Sequence, residues 1–512
     1  MKTLRLFCLF PLLLATPLPA QTILVAPYVQ PGNGSTLAGA DVKTIAWLTD
    51  QTAAEFVVEY SATGAAMRQA KVERVQLDFG LPKPKSAVTP VPAKSGGKPA
   101  AEVPTDIDEF KKEAVKESAV AAPEKEQHYF SYAAALDGLP FDSAVRYRVR
   151  IGDRTVREGS FKTRASAAKP IRFVAVGDLA NGKPAQNGVA WQIAQQQPDF
   201  MIALGDIVYP HGRVNEYMHH FWTTYNDVAQ PGPKTGAPLF ASIPLYPVLG
   251  NHDTDTKLPD YPDAWGAYYF FHVPQNGPGL GPWSMPLGRD KAAANNFRVK
   301  VGATYPALNV YSWDAGPAHF IALDSNGYVK ADDPKLRAWI EADLRGSRQP
   351  WKFVCMHAPA FHTSREHYTE QKMRLWQPIF EKCGVDVVFA GHVHNYQRSK
   401  PLRFTPVGGR DARGRISGEL RLDDRFDGVK NTTPDGIIHI VSGGGGATLY
   451  SVDFAKTVEA LKKEHGENYT PLTAKYAAQH SFSLVDLTPD TFTLRQIAIG
   501  GEEIDRFTIT KK

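Results

Sequence analysis

The sequence predicts an α/β domain built round strands buried on both faces, preceded by an all-β sandwich. Two patterns and one bound predict it. From Ile171 onward, short apolar runs alternate with helix-like stretches, as a sheet covered on both sides requires. Before that point, short strands spaced by turns alternate apolar and polar residues with a period of two. At 512 residues the chain is also too long for one ordinary core.

The first twenty residues stand apart. Lys2 and Arg5 precede the apolar run Leu6–Ala15 and a Pro-Leu-Pro-Ala stretch ending at Ala20, which is the pattern of a secretory signal peptide. The chain is therefore expected to be secreted or periplasmic. No other run is long enough to cross a bilayer. A net charge of +5 is mild for this length and gives no argument for nucleic-acid binding. Of three cysteines, only Cys355 and Cys383 lie beyond the leader, and both read as buried free thiols.

Residues 21–166 are expected to form the all-β domain. Its clearest strand is Val145–Ile151, where apolar residues alternate with arginines; Thr44–Leu48 and Glu55–Tyr60 are further candidates. Residues 80–127 break the pattern with Pro-Lys-Pro-Lys, Ser-Gly-Gly-Lys-Pro and a Lys/Glu-rich stretch, a composition that buries too little to fold alone. A mobile excursion with a short helix at 107–119 is expected there.

Residues 170–512 are expected to form the second domain. Its strand candidates are Ile171–Val176, Phe200–Leu204, Leu245–Leu249, Phe320–Leu323, Phe353–Met356, Val385–Ala390 and Ile437–Val441. Lys335–Leu344 and Glu370–Cys383 read as helices between them, and Ser481–Val485 and Thr491–Ile499 as closing strands. Residues 272–304, rich in Gly and Pro, form a long insertion that reads as a surface loop.

Strand after strand ends in a side chain suited to metal. Ile171–Val176 runs into Gly177-Asp178, Phe200–Leu204 into Gly205-Asp206 with Tyr209 just beyond, and Leu245–Leu249 into Gly250-Asn251-His252-Asp253. Phe353–Met356 reaches His357, and Val385–Ala390 reaches Gly391-His392-Val393-His394. The glycines would permit the tight turns that bring these side chains to one sheet edge. Carboxylates and an amide mixed with imidazoles suit Fe, Mn or Zn.

In the order GDLA, GDIVY, GNHD, VCMH and GHVH, these motifs resemble the calcineurin-like metallophosphoesterases, and more narrowly the purple acid phosphatases of the plant type. The resemblance covers Ile171 to about Val441. It implies a metallophosphoesterase β-sandwich flanked by helices, and more loosely a fibronectin-like fold for the preceding domain. Most of the superfamily places a metal-binding histidine where this chain has Ala180; here Tyr209 stands where purple acid phosphatases place a tyrosinate on ferric iron. The family usually has glycine at the Ala180 position, so the methyl is expected to crowd the loop slightly.

Carried over residue by residue, the resemblance implies a binuclear centre of Fe(III) plus Zn, Mn or Fe(II). Asp178, Asp206, Tyr209 and His394 would hold iron, Asp206 would bridge, and Asn251, His357 and His392 would complete the second site. It further implies attack of a metal-bound hydroxide on a small phosphorylated substrate, a phosphomonoester, with His252 and His367 assisting the leaving group. His367 follows His357 by ten residues, the offset of a substrate-contacting histidine in the plant-type enzymes, and Glu370 falls where they have a glutamate. His211 is a candidate cleft residue, and His362 reads as a surface histidine. The glycine run after Ser442 has no P-loop spacing and reads as a tight turn near the site. A phosphodiesterase or nucleotide pyrophosphatase of the same superfamily stays open on these residues, as does a non-catalytic protein that retains the metals.

Overall fold

A computed structural model of the chain describes residues 21–81, 120, 125–254, 258, 261–465 and 472–511. The expected leader, nearly all of the 80–127 excursion and its helix at 107–119 lie outside the described residues.

Eight strands form the N-terminal sandwich, all paired antiparallel. One sheet orders β1 (Ile23–Gln30), β2 (Asp41–Thr49), β6 (Gln127–Leu139) and β5 (Val72–Phe79). The other orders β4 (Arg68–Ala70), β3 (Phe56–Ala62), β7 (Ala144–Ile151) and β8 (Arg154–Lys162). In β7, Val145, Tyr147 and Val149 are buried while Ala144 and Arg146 face water, as the alternation requires. Trp47 stacks on Tyr132 with ring centroids 5.3 Å apart, and Phe56 meets both rings edge-on to fill the space between sheets.

Two larger sheets follow. The first orders β11 (Leu245–Val248), β10 (Phe200–Leu204), β9 (Ile171–Val176), β21 (Ser481–Leu487), β22 (Thr491–Ala498) and β23 (Glu503–Thr510). The second orders β12 (Tyr311–Ala315), β13 (Ala318–Leu323), β14 (Trp351–Met356), β15 (Val387–Ala390), β19 (Ile438–Ser442), β16 (Tyr396–Ser399) and β20 (Thr473–Ala477). The remaining two strands, β17 (Leu402–Arg410) and β18 (Ile416–Leu422), make a separate hairpin. The sheets pack face to face: Phe173 of β9 meets Phe320, Phe353 and Phe389 of the second sheet at 5.3, 5.9 and 6.0 Å between centroids. Burying each such ring stabilises by about 2 kcal/mol relative to leaving it wet.

Helices cover the outer faces. Pro334–Gly346 starts at Asp333, whose carboxylate accepts from the Lys335 and Leu336 amides at 3.0 Å; Pro334 in the first turn has no donor to waste. Its buried stripe, Leu336, Ile340 and Leu344, packs on Val354 and Val388. The helix expected over Glu370–Cys383 divides into a 3₁₀ turn, Lys372–Trp376, and an α-helix, Gln377–Cys383, with Pro378 in its first turn. Residues 272–304 hold a helix, Lys291–Val301, that docks on the sandwich through Lys300, whose ammonium donates to the Asp78 carbonyl of β5. Arg164, in the connector after β8, donates to Asp41 of β2 through Nε at 2.8 Å and to the Asp314 carbonyl of β12 at 3.1 Å. Among the described residues no helix is long and apolar enough to cross a membrane. Cys355 and Cys383 are buried free thiols, as expected.

The parallel strands β9, β10 and β11 of one sheet, and β14 and β15 of the other, all end at one edge. The polar residues at their ends meet there.

Candidate metal centre

Backbone geometry at these ends is unusual. Asp178, Asp206 and His392 all have positive φ, at 61°, 49° and 68°. For residues with a Cβ this left-handed conformation costs on the order of 1 kcal/mol or more, and it persists only where the surroundings enforce it. The sequence suggested that the preceding glycines make the turns. Only Gly205 does so (φ 85°); Gly177, Gly250 and Gly391 serve instead as space. A Cβ on Gly250 would lie 2.1 Å from Asp206 Oδ1, and one on Gly391 2.8 Å from Asp178 Oδ2.

The loops after β9 and β10 continue the strand pairing. Asp178, Leu179 and Ala180 donate to the carbonyls of Gly205, Asp206 and Ile207, and Tyr209 donates back to Ala180. The tyrosine is thereby held beside the alanine. Ala180 is fully buried, and its methyl is accommodated within the core without breaking this pairing.

Seven side chains converge in two overlapping groups. In one, the Tyr209 hydroxyl lies 3.1 Å from Asp178 Oδ1, 3.2 Å from Asp206 Oδ2 and 3.1 Å from His394 Nε2. In the other, His357 Nε2 lies 3.0 Å from Asn251 Oδ1, 3.0 Å from His392 Nδ1 and 3.3 Å from Asp206 Oδ1. Asp206 thus belongs to both, one oxygen in each. Asp178, Asp206 and His394, and again Asp206, His357 and His392, bring their ligand atoms within 4.8 Å of one another.

The outward nitrogens settle which atoms face in. His357 Nδ1 is 2.7 Å from the Leu204 carbonyl and His394 Nδ1 2.6 Å from the Thr448 carbonyl. A carbonyl only accepts, so each ring keeps its proton there and turns Nε2 inward. His392 Nε2 lies 3.2 Å from Glu370 Oε2, leaving Nδ1 inward. Asp253 backs the loops, accepting from the Gly250 amide at 2.9 Å, the Ile207 amide and the Tyr217 hydroxyl at 3.1 Å. Burial works against charge here, yet Asp206 is held well below the usual carboxylate range by His357 and then His252. Burial likewise pushes His357 down, and Asp206 beside it lifts it to about 10. The carboxylates demand positive charge, which a metal cation facing the inward nitrogens would supply. The donor set therefore fits metal.

His252 and His367 stand at the rim, both half-buried. The His252 amide donates to Asp206 Oδ1 at 2.8 Å, its Nδ1 is 2.7 Å from the Pro210 carbonyl, and its Nε2 is 3.9 Å from Asp206 Oδ2. The ring of His367 lies 3.6 Å from that of His392, with Nδ1 2.8 Å from Glu370 Oε1. Glu370 so ties His367 to His392. His211 is half-buried and stacks on Tyr261 with centroids 5.0 Å apart. His362 is not a surface residue: it is 4 % exposed, and burial pushes its imidazole down to about 3. Residues 357–364 are all buried, and the polar Thr363-Ser364-Arg365 that follow His362 did not betray it.

Some contributors escaped the sequence. Tyr450 lies flat on His394, centroids 3.9 Å apart, and its amide donates to the His394 carbonyl. It and Thr448 follow the glycine run, and proximity to that turn was the one available signal. The run itself packs beneath the loops: Gly445 donates to the Gly177 carbonyl and Ala447 to that of Asp178, at 3.1 and 3.0 Å. A Cβ on Gly445 would come within 2.3 Å of the Gly177 oxygen. These amides are spent on the fold and cradle no phosphate.

Residues 171–396 match the calcineurin-like phosphoesterase family. Purple acid phosphatase 21 of Arabidopsis thaliana is 26% identical over 268 residues, 51% of this chain and 52% of that protein. A nucleotide pyrophosphatase/phosphodiesterase of Hordeum vulgare is 26% identical over 290 residues, 54% of this chain and 65% of that protein. The chain thus spans between half and two thirds of the length of these relatives. The structure of a purple acid phosphatase from yellow lupin (Lupinus luteus) seeds superposes with a TM-score of 0.60 and 17% identity, covering 94% of this chain and 74% of the lupin one. That likeness shows a shared fold. The chain carries a calcineurin-like phosphoesterase domain and is a relative of the purple acid phosphatases.

Proposed function

We propose that the chain is an exported binuclear metallohydrolase that cleaves phosphomonoesters. The observation that carries this reading is the division of Asp206, with Oδ2 facing Tyr209 and Oδ1 facing His357. Asp178, Asp206, Tyr209 and His394 would hold Fe(III), since anionic oxygen donors suit a hard trivalent ion. Asp206, Asn251, His357 and His392 would hold Zn, Mn or Fe(II). When bound, such a pair neutralises charge on the phosphoryl group and lowers the pKa of a water enough to make it a nucleophile at ordinary pH.

The chain's own residues do the rest. Asp206 links the two halves, Asn251 faces His357 alone, and the carbonyls of Leu204 and Thr448 hold His357 and His394 in one tautomer. A leaving alkoxide needs a proton, and the two rim histidines supply it. The Pro210 carbonyl occupies His252 Nδ1, so Nε2 is the atom that carries this proton. Glu370, on His367 Nδ1, leaves that ring's Nε2 for the same purpose. Export rests on the leader-like stretch from Lys2 to Ala20.

The barley relative favours a second reading, a phosphodiesterase or nucleotide pyrophosphatase. Hydrolysis of an aryl phosphomonoester and of the matching diester, from acidic to neutral pH, separates the two. Faster monoester turnover, lost in Asp206→Asn, supports the proposal; faster diester turnover replaces it with the second reading. No turnover of either by protein holding two metal ions would leave a binding protein.

A further inference from the structure

The hairpin β17–β18 takes no part in either large sheet, yet it is tied to the rim of the metal centre. Its base packs on the stretch between His357 and His367. Phe404 meets Phe361 at 5.3 Å between centroids, and the Arg374 guanidinium covers both rings at 5.6 and 4.8 Å. The Ile416 amide donates to Gln371 Oε1 at 3.1 Å. At the tip, a Cβ on Gly414 would come within 2.6 Å of the Thr369 carbonyl. Thr369 directly precedes Glu370, which holds His367 and His392, so the tip lies against the rim on the His367 side.

The turn Arg410-Asp411-Ala412-Arg413-Gly414-Arg415 places three guanidiniums there against one carboxylate. Asp411 is committed to Arg415, whose Nε is 2.9 Å away, and to the Arg413 and Arg415 amides. Among the described residues, the side chains of Arg410 and Arg413 have no ion-pair partner, and both are exposed. Folding of the turn alone gives no reason to gather three guanidiniums round a single carboxylate. A guanidinium fork does match a phosphate, binding two of its oxygens at once.

Resting on the phosphomonoesterase reading, we infer that the hairpin tip is a second phosphate subsite, and that the preferred substrates are phosphomonoesters whose alcohol carries a further phosphate. The scissile group lies at the metal centre. The alcohol leaves past His367, and its other phosphate falls to Arg410 and Arg413.

The test compares phosphate release from fructose 1,6-bisphosphate, fructose 6-phosphate and an aryl phosphate, by the metal-loaded full chain and by the double variant Arg410→Gln/Arg413→Gln. The wild type should favour the bisphosphate over the monophosphate by about tenfold in kcat/KM, and the variant by only the roughly twofold statistical factor. Its aryl phosphate turnover should stay within about twofold of wild type, and the wild-type preference should shrink as salt screens the exposed arginines. An equal preference in both proteins overturns the subsite while leaving the phosphatase standing. So does a parallel fall on all three substrates, which would place the arginines on the scissile group or in the fold. A wild type inactive towards the aryl phosphate overturns the phosphomonoesterase reading, and this inference with it.

Discussion

The Tyr209 amide donates to the Ala180 carbonyl at 2.9 Å, so the two residues lie side by side above β9 and β10. Ala180 offers no ligand atom, and the Tyr209 hydroxyl reaches the point where Asp178, Asp206 and His394 meet. Removing that oxygen while keeping the ring should change the metal and spare the fold. Tyr209→Phe is expected to abolish visible tyrosinate-to-iron absorption in iron-loaded protein, with stability within about 1 kcal/mol of wild type. An unchanged visible spectrum would remove the tyrosine from the ligand set.

Asp206 faces both halves of the centre, whereas every other converging side chain faces one. On the proposed reading, Asp206→Asn replaces a bridging anion by a neutral amide that cannot present two equivalent oxygens. Both ions should bind more weakly, and activity should fall by more than about 100-fold, beyond the usual effect of an outer partner. His394→Ala should weaken selectively the half proposed to hold iron. Metal analysis after dialysis reads both, and equal retention of two ions by Asp206→Asn would refute the shared-ligand geometry.

The convergence of these side chains was largely legible in the sequence because the candidate ligands lie immediately after apolar runs. Parallel strands buried on both faces leave few other patterns, so Asp178, Asp206, Asn251, His357 and His392 could be placed at one sheet edge from the runs alone. What stayed hidden depends on contacts between segments far apart in the chain. β21 pairs with β9, Ser483 opposite Ala175, across more than three hundred positions, and no local periodicity encodes such a partner. Tyr450 reaches His394 in the same way. The left-handed backbone at Asp178, Asp206 and His392 was hidden because it is enforced by the packing of separate loops, which no local sequence pattern records. The inward fold of His362 was half-signalled by Ala358, Ala360 and Phe361 before it, and masked by the polar Thr363-Ser364-Arg365 after it.

The rim histidines should be separable by leaving group. A nitrophenolate leaves readily without a proton, while an alkoxide does not. His252→Asn and His367→Asn should therefore each reduce kcat for an alkyl phosphate by about 100-fold, and for a nitrophenyl phosphate by much less. Metal content should be unchanged in both. A uniform loss on the two esters would assign the histidines to substrate binding or ligand orientation.

Stability should fall at alkaline pH because of His319, remote from the metal centre. It is buried, with Nδ1 2.8 Å from Asp314 Oδ1 and Nε2 2.9 Å from Asp343 Oδ2. Burial pushes the imidazole down, but the two aspartates outweigh it and raise it to about 9. A raised folded-state pKa means that the stabilisation is complete below the unfolded value near 6.5 and is lost as pH rises through about 9. Its full size is about 3 kcal/mol. His319→Gln should denature earlier than wild type in urea at about pH 6, and the gap should close by about pH 9.5. A gap that stays constant with pH would mean that His319 is neutral in the folded chain.

Gly250→Ala should damage the centre without touching a ligand. The methyl would stand 2.1 Å from Asp206 Oδ1 and 2.2 Å from the Asp206 amide, one the oxygen that faces His357 and the other backbone. Neither can step aside cheaply, because the Asp206 carboxylate is held by the His252 amide and its φ is already positive. Crowding of this kind costs about 1–3 kcal/mol in a packed interior. The shift falls on the one residue facing both halves, so weakened retention of both ions should accompany a modest loss of stability. Gly288→Ala is the control. Unlike Gly250, Gly288 is left-handed, at φ 73°, but a Cβ there meets nothing within 4 Å. It should lose stability to backbone strain alone and keep both ions. If the two variants bind metal alike, the tight approach at Gly250 does not position Asp206.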